Sequence, residues 1–141
     1  MFNLLLIALA PTFALGLLFY LRDKYEKEPV GLLLQVFAMG AVAIIPIAFI
    51  EMWLFSLFGI DPLRPANLAI TLLSNLFLVA VIEEGFKFAI VRGYVWKKKE
   101  FDEPYDGIMY TVMASLGFAT IENLFYVLPM GIEIGMLRAV L

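Results

Sequence analysis

Charged residues fall in a few short clusters along the chain, and the sequence between them is almost continuously apolar. A helix needs about 20 mostly apolar residues to cross a bilayer. Four runs reach that length. They cover roughly 2–21, closed by Arg22-Asp23-Lys24; roughly 30–58, from Val30 to Phe58; roughly 68–96, between Asn67 and Lys97-Lys98-Lys99; and roughly 107–128, from Gly107 to Leu128. After Pro129-Met130-Gly131 a further apolar run, 134–141, is too short to span and reads as the start of a fifth helix cut short. The pattern predicts an all-α fold: a polytopic transmembrane helix bundle with four full helices and the beginning of a fifth, forming one membrane-embedded domain over 1–141. No internal repeat or low-complexity stretch interrupts it.

Composition agrees and narrows the chemistry. The chain is 63% apolar and 16% charged, against about 45–50% and about 25% in soluble domains. A soluble enzyme and a disordered tail are both excluded. Ten Lys and Arg against thirteen Asp and Glu leave a net charge of −3, which argues against a nucleic-acid partner. The sequence has neither Cys nor His. Thiol nucleophiles, the commonest general base and the commonest metal ligand are therefore missing from these residues, and chemistry falls to carboxylates, Lys, Tyr, Ser, Thr or Asn.

Loop charges predict orientation. Residues 22–29 hold Arg22, Lys24 and Lys27, and residues 97–106 hold three Lys; residues 59–67 hold only Arg64, and 129–133 hold no basic residue. Basic and poor loops alternate, as four spans require. The expectation is an integral protein of a bacterial-type plasma membrane with its N-terminus extracytoplasmic. A cleaved signal peptide is the competing reading of 2–21, but that run lacks a basic start and has basic residues after it, which favours a retained helix.

Three ionisable residues inside the third run stand apart from the loop charges. Glu83, Glu84 and Lys87 lie in Val-Ile-Glu-Glu-Gly-Phe-Lys-Phe, and each costs roughly 2.5–3.5 kcal/mol on insertion scales. At about 100° per residue, Lys87 lies about 40° round the helix from Glu83 and about 60° from Glu84, within reach of either. The fourth run adds Glu122 and Asn123. Glu83 is fourteen residues from Lys97 and Glu122 fifteen from Gly107, so both lie about 21–22 Å from their loop ends. Thr111, Ser115 and Ala119 form a small-residue stripe suited to close packing, and Glu122 falls about 20° from Ser115. A site of Glu83, Glu84, Lys87, Glu122 and Asn123 is geometrically reasonable. These residues by themselves fit catalysis, proton or ion transport, and a structural ion pair. Glu51, about two turns from the end of the second run and after Pro46, reads as an interfacial or supporting residue. Asp106 reads as a cap for the fourth helix.

Three stretches stand out together: Tyr20-Leu-Arg-Asp-Lys-Tyr25-Glu-Lys-Glu28-Pro29; Glu83-Glu84-Gly-Phe-Lys87, an EExxK element; and Phe101-Asp-Glu-Pro-Tyr-Asp106-Gly107-Ile-Met-Tyr110 running into Gly117-Phe118-Ala-Thr-Ile-Glu122-Asn123. In this order they resemble the PrsW family of intramembrane proteases, within the wider glutamate-motif superfamily that includes the CAAX prenyl endopeptidases. The resemblance implies a peptidase that cuts single-span membrane proteins such as anti-sigma factors. It implies Glu83 and Glu84 as catalytic glutamates, Lys87 as their partner, and Glu122-Asn123 as a second motif. Its members are often classed as metallopeptidases, which makes zinc the candidate cofactor and Glu83, Glu84 and Glu122 its candidate ligands. A catalytic zinc usually has three protein ligands, mostly His or Cys, and only oxygen ligands are present here. The superfamily carries His motifs in later helices, so these 141 residues are expected to be a fragment that is inactive or strongly impaired by itself. The alternatives are a non-catalytic scaffold or chaperone of the same fold, or an ion-coupled transporter.

Overall fold

The computed structural model describes residues 2–24, 26–61, 67–131 and 133. Among these, four helices are long and apolar enough to cross a membrane, and no strand occurs. They are α1, Phe2–Arg22; α2, Val30–Phe58; α3, Leu68–Val95; and α4, Pro104–Met130. The expected fifth helix, 134–141, lies outside the described residues.

Local chemistry explains where the helices start and stop. α2 ends at Gly59, whose φ of 64° is open to glycine at no steric cost and lets its N–H reach the carbonyl of Ser56. α3 starts after Asn67, whose side-chain oxygen accepts from the Ile70 N–H at 2.9 Å. α4 starts one turn earlier than the hydrophobic run suggests. Pro104 occupies its first turn, where a missing N–H costs nothing. Asp106 does cap this helix, but from inside it: its Oδ2 reaches back to accept from the N–H groups of Asp102 and Glu103, at 2.9 and 2.7 Å.

α4 is the hub of the bundle. α1 packs along one side of it in the opposite direction. Tyr105 Oη donates to the Phe19 carbonyl at one end, Thr12 and Thr120 hydrogen-bond to each other at 2.8 Å, and Asn123 Nδ2 donates to the Ala8 carbonyl at 3.4 Å near the other end. α2 crosses another face at van der Waals contact between backbones. A Cβ on Gly117 would lie 1.9 Å from the Phe37 carbonyl oxygen, and one on Gly40 would lie 2.0 Å from that of Ala114. Close approach of this kind is how membrane helices gain packing energy without a hydrophobic driving force between them. The small-residue contact therefore runs on Ala114 and Gly117, not on the Thr111–Ser115–Ala119 stripe, and Thr111 is exposed. The C-terminal half of α3 closes the bundle with buried Ile90, Val91 and Val95, and Tyr94 Oη donates to Gln35 on α2 at 2.5 Å.

α3 is not a uniform α-helix. Two stretches, Asn75–Ala80 and Val91–Val95, are wound as π-helix. A π turn, hydrogen-bonded from i to i+5, advances each residue by less rotation than an α turn, and such turns are frequent at functional sites. The first precedes Glu83, and Asn75 and Val79 within it line the same cavity as Glu83.

Candidate active site

Between α2, α3 and α4 lies a cavity of about 660 Å³ whose polar lining comes from all three helices: Glu51 from α2, Asn75 and Glu83 from α3, Glu122 and Tyr126 from α4. Its remaining walls are apolar, including Ile47 and Phe118. Of the five candidates from the sequence, Glu83 and Glu122 meet in this cavity.

Lys87 is buried directly behind Glu83. Its Nζ lies 3.5 Å from Glu83 Oε2 and 2.7 Å from Glu84 Oε1, and 4.8 Å from the centroid of the Phe118 ring on α4. The ammonium is thus held by two carboxylates and an aromatic face, which offsets part of the cost of burying it. Glu84 is placed differently from Glu83. Its side chain is 66% exposed against 23% for Glu83, and it does not line the cavity. It serves as the closer anchor for Lys87. Asn123 also turns from the cavity, towards the Ala8 carbonyl on α1. One residue that sequence reasoning set aside, Glu51, belongs to the cavity wall. Its signal was a lone acid inside a long apolar run, about two turns from its end, and the face it presents became readable only once α2 was packed.

A second polar group of residues joins the loops at the end where α1 finishes and α4 begins. Tyr110 Oη donates to Glu28 Oε2 across 82 positions of sequence. Asp23, Glu28, Asp106 and Tyr110 are all buried. Burial pushes the Glu28 carboxyl up from 4.5 to about 7; the hydrogen bond from Tyr110 opposes this, and neighbouring Asp106 and Asp23 add to it. A carboxyl raised in the folded state stabilises the fold fully below its unfolded value, and that contribution is lost as pH rises through about 7. Thermal unfolding in detergent should accordingly show higher stability at pH 5 than at pH 8. Glu28→Gln, which keeps an acceptor for Tyr110, should flatten that slope; an unchanged slope would assign the pH dependence to other groups.

The family model described as PrsW family intramembrane metalloprotease matches residues 28–141, a stretch that contains α2, α3, α4 and every wall of the cavity. The chain belongs to the PrsW family. Relatives named Protease PrsW include those of Geobacillus kaustophilus, 41% identical over 100% of this chain and 59% of the relative; Oceanobacillus iheyensis, 38% over 99% and 61%; and Bacillus subtilis, 38% over 100% and 61%. The chain therefore spans about three fifths of the length of the curated relatives it matches. No solved structure matches it.

The PrsW family description includes a metal. Among the described residues, no three of His, Cys, Asp and Glu come together closely enough to hold one ion. Glu51, Glu83 and Glu122 share a cavity without forming a ligand set, and the sequence supplies no His or Cys to complete one. The residues present do not by themselves fit a zinc site, for which nitrogen and sulfur donors are the rule.

Proposed function

We propose that this PrsW-family protein hydrolyses peptide bonds within the membrane, and that the cavity between α2, α3 and α4 is where it does so. The supporting observation is the meeting of Glu83 and Glu122, from two different helices, in one largely apolar cavity. Carboxylates so placed can divide base and acid roles in a site where water is scarce and electrostatic interactions are strong.

Glu83 is the general base. It takes a proton from water as the water oxygen attacks the scissile carbonyl carbon. Lys87, paired with Glu83 and anchored by Glu84, sets the charge balance of that carboxylate. When the C–N bond breaks, Glu122 gives a proton to the leaving amine. Asn123 acts at a distance from these steps, by tying α4 to α1. The substrates are single-span, membrane-anchored regulatory proteins of the anti-sigma-factor kind, which reach the cavity from the lipid. The basic loops carrying Arg22, Lys24, Lys27 and Lys97–Lys99 face the cytoplasm of a bacterial plasma membrane, with the N-terminus outside.

The test is a single-span reporter co-reconstituted in liposomes with the full-length protein. Mass spectrometry should place the cut inside the span, and Glu122→Gln should slow it by about 10²-fold or more. A cut in a water-exposed loop, or a Glu122→Gln variant as fast as the parent, would overturn the reading.

A further inference from the structure

Glu51 has no part in the steps above, yet three observations set it apart from an ordinary wall residue. It lines the cavity on the same face of α2 as Ile44 and Ile47, at spacings that place all three in one stripe. Isoleucine serves packing at two of these positions, so packing alone does not call for a carboxyl at the third. An acid within a spanning helix is costly unless it faces the bundle interior or a wet cavity. Finally, its Oε1 is buried and has no hydrogen-bond partner among the described residues. A buried acceptor without a partner is rare in native structures and calls for an explanation. The buried ammonium of the site does not supply one, because Lys87 is engaged by Glu83 and Glu84.

We propose that Glu51 is a third carboxyl of the reaction centre and holds, by a hydrogen bond, the water molecule consumed in hydrolysis. This rests on the peptidase reading of the cavity. Glu83 and Glu122 approach from α3 and α4, and Glu51 from α2 completes a three-sided enclosure. One O–H of the water gives its proton to Glu83. The other O–H donates a hydrogen bond to the Glu51 carboxyl, which fixes the direction of the oxygen lone pair towards the scissile carbonyl. No bond to Glu51 forms or breaks. Its contribution is orientation, and misplacing a reacting atom by about 1 Å can cost about 10²-fold.

The experiment compares the full-length parent, Glu51→Ala, Glu51→Gln and Glu83→Gln in the liposome reporter assay, with membrane level and thermal stability measured for each. The expected result is a Glu83→Gln variant without cleavage, and a Glu51→Ala variant with kcat lower by about 10²-fold at unchanged KM. Glu51→Gln, which retains an acceptor oxygen at the same reach, should recover much of that loss at parental stability. If Glu83→Gln is inactive while Glu51→Ala keeps the parental kcat, the proposal fails and the peptidase site stands. If Glu51→Ala raises KM alone, Glu51 serves docking and the proposal fails. Equal loss of activity and stability in both Glu51 variants would make the residue structural. Cleavage by Glu83→Gln at the parental rate would remove the peptidase reading of the cavity, and this proposal with it.

Discussion

Replacing Glu83 by Gln should abolish cleavage of a membrane-anchored reporter by the full-length protein, a loss of about 10²–10⁴-fold for a missing general base, with membrane level unchanged. The amide is nearly isosteric and keeps an acceptor for Lys87, so the bundle should survive. On the proposed mechanism, what disappears is the group that takes the proton from water. Glu84→Gln should also lower cleavage, but by another route. Glu84 is outside the cavity and is the 2.7 Å partner of Lys87. Its removal leaves the buried ammonium to Glu83 alone, changing the electrostatic surroundings of the proposed base. The two routes are separable in a double-mutant cycle. Glu84→Gln and Lys87→Gln should be strongly non-additive, because each breaks the same pair. Additive losses would place Glu84 in a separate step, and retained cleavage in Glu83→Gln would move the chemistry out of the cavity.

The largest effect on folding should come from Gly117→Ala. The new methyl group would sit 1.9 Å from the Phe37 carbonyl oxygen on α2. That neighbour is backbone and cannot rotate aside as a side chain could, so the crossing of α2 and α4 must open. Overpacking of a well-fitted interface costs about 1–3 kcal/mol and occasionally more, and this contact belongs at the upper end. Gly31→Ala is the matched control, since a Cβ there meets nothing within 4 Å. Thermal unfolding in detergent should show a clear loss for Gly117→Ala and little change or a slight gain for Gly31→Ala. Because Glu51 and Glu122 sit further along the same two helices, opening the crossing should also separate the cavity walls and reduce cleavage. An unaltered melting curve for Gly117→Ala would show that the helices are further apart than their backbones indicate.

The chain's own pattern was enough to determine the four spans, the all-α class and the local pairing of Lys87 with Glu83 and Glu84. Span length follows from bilayer thickness, and i,i+3 and i,i+4 contacts follow from helical pitch, so neither depends on what a helix packs against. The common depth of Glu83 and Glu122 could also be counted from the loop ends, since helical rise is fixed. Rotation of each helix about its axis could not be obtained in that way. The stripe of Thr111, Ser115 and Ala119 pointed one residue round from the backbone contact made by Ala114 and Gly117, because small residues permit close approach without saying which neighbour will use it. Which of Glu83 and Glu84 lines the cavity was likewise open, since adjacent residues lie about 100° apart and both reach Lys87. The π turn at Asn75–Ala80 left no periodic signature in an apolar run, and it changes the facing of everything before Glu83. Glu51 in one cavity with the acids of α3 and α4, and Glu28 against Tyr110 82 positions away, are meetings between separate helices and loops. Only tertiary packing decided them, because they depend on how whole helices are turned and seated against one another and not on any regularity within one.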